Sequence, residues 1–106
     1  MARYLFRAKY TQAGVTGLLK EGGTSRRDAL RQTIEGMGGT LHDLFYAFGD
    51  WDLFLVTELP DDEAATAVSL NISAAGALDV SVTVIVTPET VDAAVRKSVP
   101  YRAPGD

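Results

Sequence analysis

One histidine stands in this chain of 106 residues: His42, with Asp43 beside it and Tyr46 one helical turn's worth of sequence further on. Imidazole is the side chain that ordinarily exchanges a proton near neutral pH. His42 is therefore the candidate catalytic residue, a general acid or base in a pocket between sheet and helices, with a carboxylate or Tyr46 as partner. The plainer reading is a strand-end histidine with no assembled partners. Arg7 and Lys9 share one face of the first apolar segment, and Arg26, Arg27 and Arg31 recur on a later one. A forked guanidinium suits a carboxylate or phosphate. The three later arginines read as a solvated face with weak ion pairs to Asp28 or Glu35. Arg7 and Lys9 are the ligand-binding candidates, because an interface leaves unpaired charge at a cost. They are expected to meet an anion, water or a partner-subunit carboxylate, with Tyr46 and Trp51 as walls.

Other chemistries are excluded by composition or spacing. There is no cysteine, so disulfides, thiolate metal sites and a thiol nucleophile are ruled out. One histidine and no carboxylates at ligand spacing give no metal site, and no cofactor is expected. Gly22-Gly23 and Gly36, Gly38 and Gly39 fit neither the Walker nor the Rossmann spacing. No G-x-S-x-G elbow occurs. Ten basic against fourteen acidic residues give a net charge of −4, which disfavours nucleic-acid backbones. No apolar run approaches the roughly 20 residues that span a bilayer, and the start shows no secretory signal, so no membrane partner and a cytoplasmic location are expected.

The elements that must position these residues follow from periodicity. Tyr4, Phe6, Ala8 and Tyr10 alternate with Leu5, Arg7 and Lys9, as in a half-buried strand. Thr11 caps a short helix carrying Val15, Leu18 and Leu19, which Gly22-Gly23 breaks. Ser25 and Asp28 resemble a capping box opening a second helical piece, with Leu30, Ile34 and Met37 on one stripe and Gly38-Gly39 at its end. Two strand-like runs, Leu41 to Phe48 and Asp52 to Glu58, flank a tight corner at Gly49-Asp50. Turn chemistry alone accounts for Gly49, Asp50 and Asp52. Pro60-Asp61-Asp62-Glu63 opens a helix reaching about Ala74, its carboxylates at the positive end of the dipole. Asp79 to Thr87 alternates as a strand, and Thr87-Pro88 starts a last helix with Val91, Ala94 and Val95 on its stripe. One domain over residues 1–97 and a flexible tail over 98–106 are expected.

The segment Gly49-Asp50-Trp51-Asp52 resembles the signature of the GYD domain family, with Trp51 where an aromatic is expected. Tyr10-Thr11, Met37-Gly38-Gly39 and Pro60-Asp61-Asp62-Glu63-Ala64-Ala65 extend the resemblance over most of the chain. It implies a small bacterial α+β domain with no established activity.

The order β-α-β-β-α-β with an extra helix is the ferredoxin-like split βαβ pattern. Right-handed crossovers place the first and third strands in the centre and the helices on one face. Val80, Val82, Val84 and Val86 are expected to face the helices with Tyr4, Phe6, Ala8 and Tyr10. Leu5, Arg7, Lys9, Ser81, Thr83 and Ile85 then lie on the other face. They are joined there by either Leu53, Leu55 and Thr57 or Phe54, Val56 and Glu58. That face is too apolar for water, so a homodimer or higher homo-oligomer of the dimeric α+β barrel type is expected, anchored by Tyr46, Phe48 and Trp51. Trp51 filling the domain's own core is the simpler alternative. The leading functional expectation is an oligomeric module that binds a small metabolite. The alternative, by fold analogy, is a cofactor-free monooxygenase or isomerase.

Overall fold

The computed structural model describes all 106 residues. Its elements are β1 (Ala2–Tyr10), α1 (Gln12–Glu21), α2 (Gly23–Gly36), β2 (Thr40–Tyr46), β3 (Leu53–Leu59), α3 (Asp62–Ala74), β4 (Leu78–Ile85) and α4 (Pro88–Val95). The four strands form one sheet in the order β2-β3-β1-β4, antiparallel throughout. The first and third strands are central. This mixed α+β arrangement is compatible with a ferredoxin-like fold carrying one added helix. No helix is long and apolar enough to cross a membrane.

Local chemistry sets most helix ends. Thr11 Oγ1 accepts the Gly14 N–H at 3.2 Å and opens α1. Asp61 Oδ1 accepts the Ala64 N–H at 2.9 Å and opens α3, with Asp62 and Glu63 in its first turn. Thr87 caps α4, with Pro88 at the first helical position. The expected capping box at Ser25 is not formed. Gly22, at φ 81°, turns the chain from α1 straight into α2, so Ser25 already lies inside the helix. Asp28 instead meets Arg27 at 3.2 Å and Arg31 at 3.4 Å. Met37 leaves the expected stripe because it caps the end of α2, while Leu30 and Ile34 are buried.

The hairpin between β2 and β3 also departs from expectation. The strands stop at Tyr46 and resume at Leu53, so residues 47–52 connect them by more than a tight corner. Asp52 is drawn towards β1. Its N–H donates to the Ala8 carbonyl at 2.9 Å, and its Oδ2 accepts the Tyr10 N–H at 2.9 Å. The Ala47 N–H still donates to the Asp52 carbonyl at 2.9 Å, so the loop proper is residues 48–51.

The core lies between the sheet and helices α2 and α3. Tyr4, Phe6 and Ala8 from β1 and Leu53, Leu55, Thr57 and Leu59 from β3 point into it. They meet Leu30 and Ile34 of α2 and Ala64, Ala65 and Val68 of α3. Thr57, its one buried polar residue, donates from Oγ1 to the Tyr4 carbonyl at 3.1 Å. The space left between these layers is only about 10 Å³. A metabolite has no room there.

Two features break the regularity. β2 carries a bulge at His42: Leu41 pairs with Thr57, but Asp43 rather than His42 pairs with Val56. At the other edge, Val84 pairs with Tyr4 and so lies on the helical side, yet it is largely exposed, as is Val86. α3 covers β4 incompletely, and α4 does not fold back to finish the cover. No residue of α4 is buried.

Candidate functional site

The face of the sheet turned away from α2 and α3 carries most of the candidate residues. Cross-strand register arranges them in rows. Thr40, Glu58, Arg3 and Ile85 form one row, and Asp43, Val56, Leu5 and Thr83 the next. A third row holds Phe45, Phe54, Arg7 and Ser81. The set from the third strand that joins this face is therefore Phe54, Val56 and Glu58. Apolar side chains fill the middle of the grid and charged ones its ends.

At one end the Arg7 guanidinium stacks on Trp51, with Cζ 4.8 Å from the ring centroid. This is within the range of a cation–π contact. Arg7 Nη2 makes a long contact of 3.5 Å to Ser81 Oγ, and its Nε is sealed from solvent with no hydrogen-bond partner. Trp51 thus stands on the uncovered face and does not fill the domain's own core. Lys9, two residues along the strand, is exposed and forms no ion pair.

At the other end Glu58 is shared by two partners. Its Oε1 lies 3.3 Å from Arg3 Nη2, and its Oε2 lies 3.3 Å from His42 Nε2. The bulge in β2 supplies this geometry, because it releases His42 from strand pairing and turns it towards Glu58. His42 thus lies beside a carboxylate on a partly exposed surface, not inside a pocket. Arg3 and Glu58 were missed from sequence. Glu58 closes a strand run in the ordinary way, and only the pairing brings it beside both partners.

Tyr46 stands on the opposite face. It pairs with Leu53, and its hydroxyl donates to the Gly23 carbonyl at 3.0 Å. With Tyr10, Val15, Leu18 and Phe48 it lines a surface groove of about 290 Å³ beneath the hairpin loop. Burial and the neighbouring Tyr46 push the Tyr10 phenol up to about 12. The sheet separates Tyr46 from Arg7 and Trp51, so the five candidates do not surround one cavity. Of the hairpin residues, Gly49 adopts a positive φ of 142°, Asp50 is exposed, and Asp52 anchors β1. No three His, Cys, Asp or Glu side chains converge as a metal site would require.

No curated protein and no solved structure matches the chain. The GYD domain model matches residues 4–95, from the first core tyrosine to the last residue of α4. Over that span lie β2, β3, β4, all of β1 but its first two residues, the Arg7–Trp51 stack and the His42–Glu58 pair, and the chain belongs to the GYD domain family.

Proposed function

We propose that this GYD domain is a self-associating module in which two copies close their uncovered sheet faces on each other, in the manner of the dimeric α+β barrels. A small anionic metabolite would sit at the Arg7–Trp51 end of that seam, within reach of Lys9. The observation that carries this reading is the pattern on β1 and β3. Leu5, Phe54 and Val56 form an apolar centre on a face no helix covers, and a half-buried guanidinium with an unused Nε borders it. Apolar patches of this kind on isolated chains mark interaction sites. A second copy would remove the patch from water, and an anion or partner carboxylate would satisfy Arg7.

Light scattering over a dilution series tests the association. A mass above that of one chain is expected at micromolar concentration, falling by about half for Val56→Asp. A wild-type monomer, or a Val56→Asp mass equal to that of the wild type, would refute the seam.

The contact of His42 with Glu58 favours one second reading, a cofactor-free enzyme that moves a proton on a small ketone or phenol. Glu58, itself held by Arg3, would orient the imidazole as acid–base work requires. Proton exchange into small enolisable ketones in D2O, followed by NMR, tests it. Exchange above the buffer background that disappears in His42→Gln is expected. Exchange at the background rate in the wild type would end this reading.

A further inference from the structure

α4 is an amphipathic helix with nothing beneath its apolar stripe. Val91 and Val95 are 50% and 75% exposed, and no residue of the helix is buried. The chain extends 57 Å along its longest axis against 32 and 22 Å along the others, which fits a helix projecting from the body. The connection is stiff. Thr87 is extended at φ −78°, ψ 160°, and the following Pro88 disfavours a helical conformation there. Thr87 Oγ1 also accepts the Thr90 N–H at 3.3 Å, which caps the start of α4.

The same chain carries an open groove of mixed lining, with Asp62 and Thr66 among apolar side chains. It runs along the outer flank of α3 and the edge strand β4, with a volume of about 380 Å³. Tyr4, Ala65, Ser69, Leu70, Val82 and Val84 line it. Leu70 is 65% and Val84 59% exposed, both large apolar side chains in open water. The acidic start of α3 and the basic end that follows α4 carry opposite charge, while Glu89 and Asp92 lie towards the other end of α4. Asp61, Asp62 and Glu63 stand at the start of α3 beside the groove. Arg96, Lys97 and Arg102 follow the stripe of α4. None of these six takes part in any of the chain's ion pairs, although Asp61 caps α3 and Asp62, which lines the groove, accepts the Tyr4 hydroxyl.

We infer that α4 is an exchange arm: its Val91–Val95 stripe docks in the α3–β4 groove of a second copy, with Arg96 and Lys97 near the acidic start of that copy's α3. A helix lying in an apolar groove through residues one turn apart is a common recognition mode. Reciprocal exchange across a two-fold axis satisfies both grooves and both arms and leaves neither open for further growth. The occupant is a second copy because one chain holds both complementary surfaces, and α4 buries no residue against its own chain. The inference does not rest on the sheet-to-sheet seam, which uses the opposite face of the sheet.

The absence of cysteine makes the test clean. Chains carrying Leu70→Cys are mixed with chains carrying Val95→Cys under mild oxidation, and the products are read on a denaturing gel without reductant and by mass. Both positions are exposed, so folding should tolerate the changes. Leu19→Cys on α1, 82% exposed in the native chain, replaces Leu70→Cys in the control mixture. Because docking raises the local thiol concentration, the mixed disulfide should form about tenfold or more above that control. Yields equal to the control would overturn the inference. So would a cross-link within one chain in the double variant Leu70→Cys/Val95→Cys, which would place the arm in its own groove. Adding Val56→Asp separates the two proposals, because the arm cross-link should persist when the sheet seam is broken.

Discussion

The two faces of the sheet are made by the same strands, yet they differ in what they lack. On the helical face, Tyr4, Phe6, Leu53, Leu55 and Leu59 are closed from solvent by α2 and α3. One residue away in each strand, Leu5, Phe54 and Val56 are only half-covered. A sheet with one wet face alternates apolar and polar residues, whereas one covered on both sides carries apolar residues at both parities. β3 reads Leu53-Phe54-Leu55-Val56 and belongs to the second kind. The covered face holds the fold together. The other face has a composition that a lone protomer leaves unused.

Substitutions at neighbouring positions test this contrast most strongly. Leu55→Ala should lower unfolding stability by about 2–5 kcal/mol in a urea titration. Val56→Ala, at the next residue, should cost no more than about 1 kcal/mol in the dissociated chain. Equal losses would erase the distinction between the faces. Thr57→Val should follow at about 1 kcal/mol, because it removes the Oγ1 hydrogen bond to the Tyr4 carbonyl while keeping the shape. A neutral outcome would mean that this bond adds nothing to the covered face.

Alkaline pH sharpens the same comparison. Tyr4 donates to Asp62 Oδ1 at 2.6 Å, and that bond, with burial and the carboxylate's charge, pushes its phenol from 10.0 up to about 12. The folded state therefore favours the neutral phenol. The resulting stabilisation is complete below pH 10 and disappears as pH rises from 10 to 12. Phenolate absorbance should show Tyr4 ionising late in the wild type and at lower pH in Asp62→Asn, and an unchanged curve would remove Asp62 as the cause. The smallest effect belongs to the uncovered face. Arg3→Gln breaks a partly exposed pair with Glu58 and should change stability by less than about 1 kcal/mol.

Much of the architecture was legible in the sequence. The cap at Thr11, the helix starts at Asp61 and Thr87, and the stripe Leu30–Ile34 follow from local rules that act within a few residues, and the central place of the first and third strands follows from crossover handedness. What escaped depends on contacts between distant segments. Sequence reading explains Gly39 as a helix-ending glycine, but a Cβ there would collide with the Glu58 carbonyl and the Leu59 side chain. Gly14 sits mid-helix because α1 lies against the Ala77 carbonyl and the Tyr10 ring. The parity of β3 stayed open because both of its sets are apolar. Tyr46 fell on the other side of the sheet from Trp51 because the loop over residues 48–51 is wider than a two-residue corner. The Glu58 cluster could not be read from sequence, since its members lie far apart along the chain.

The bulge in β2 makes His42 a supernumerary residue. Leu41 already pairs with Thr57 and Asp43 with Val56, so the ladder would run unbroken if the chain passed directly from 41 to 43. Every residue beyond that point would keep its partner and its face. Excision of His42 should therefore yield a shortened strand that folds with native register, Tyr46 still bound to Gly23 and Phe45 still opposite Phe54. Few strand positions allow a side chain to be removed together with its backbone, and a melting curve of the deletion chain close to that of the wild type would show that the fold does not require this residue.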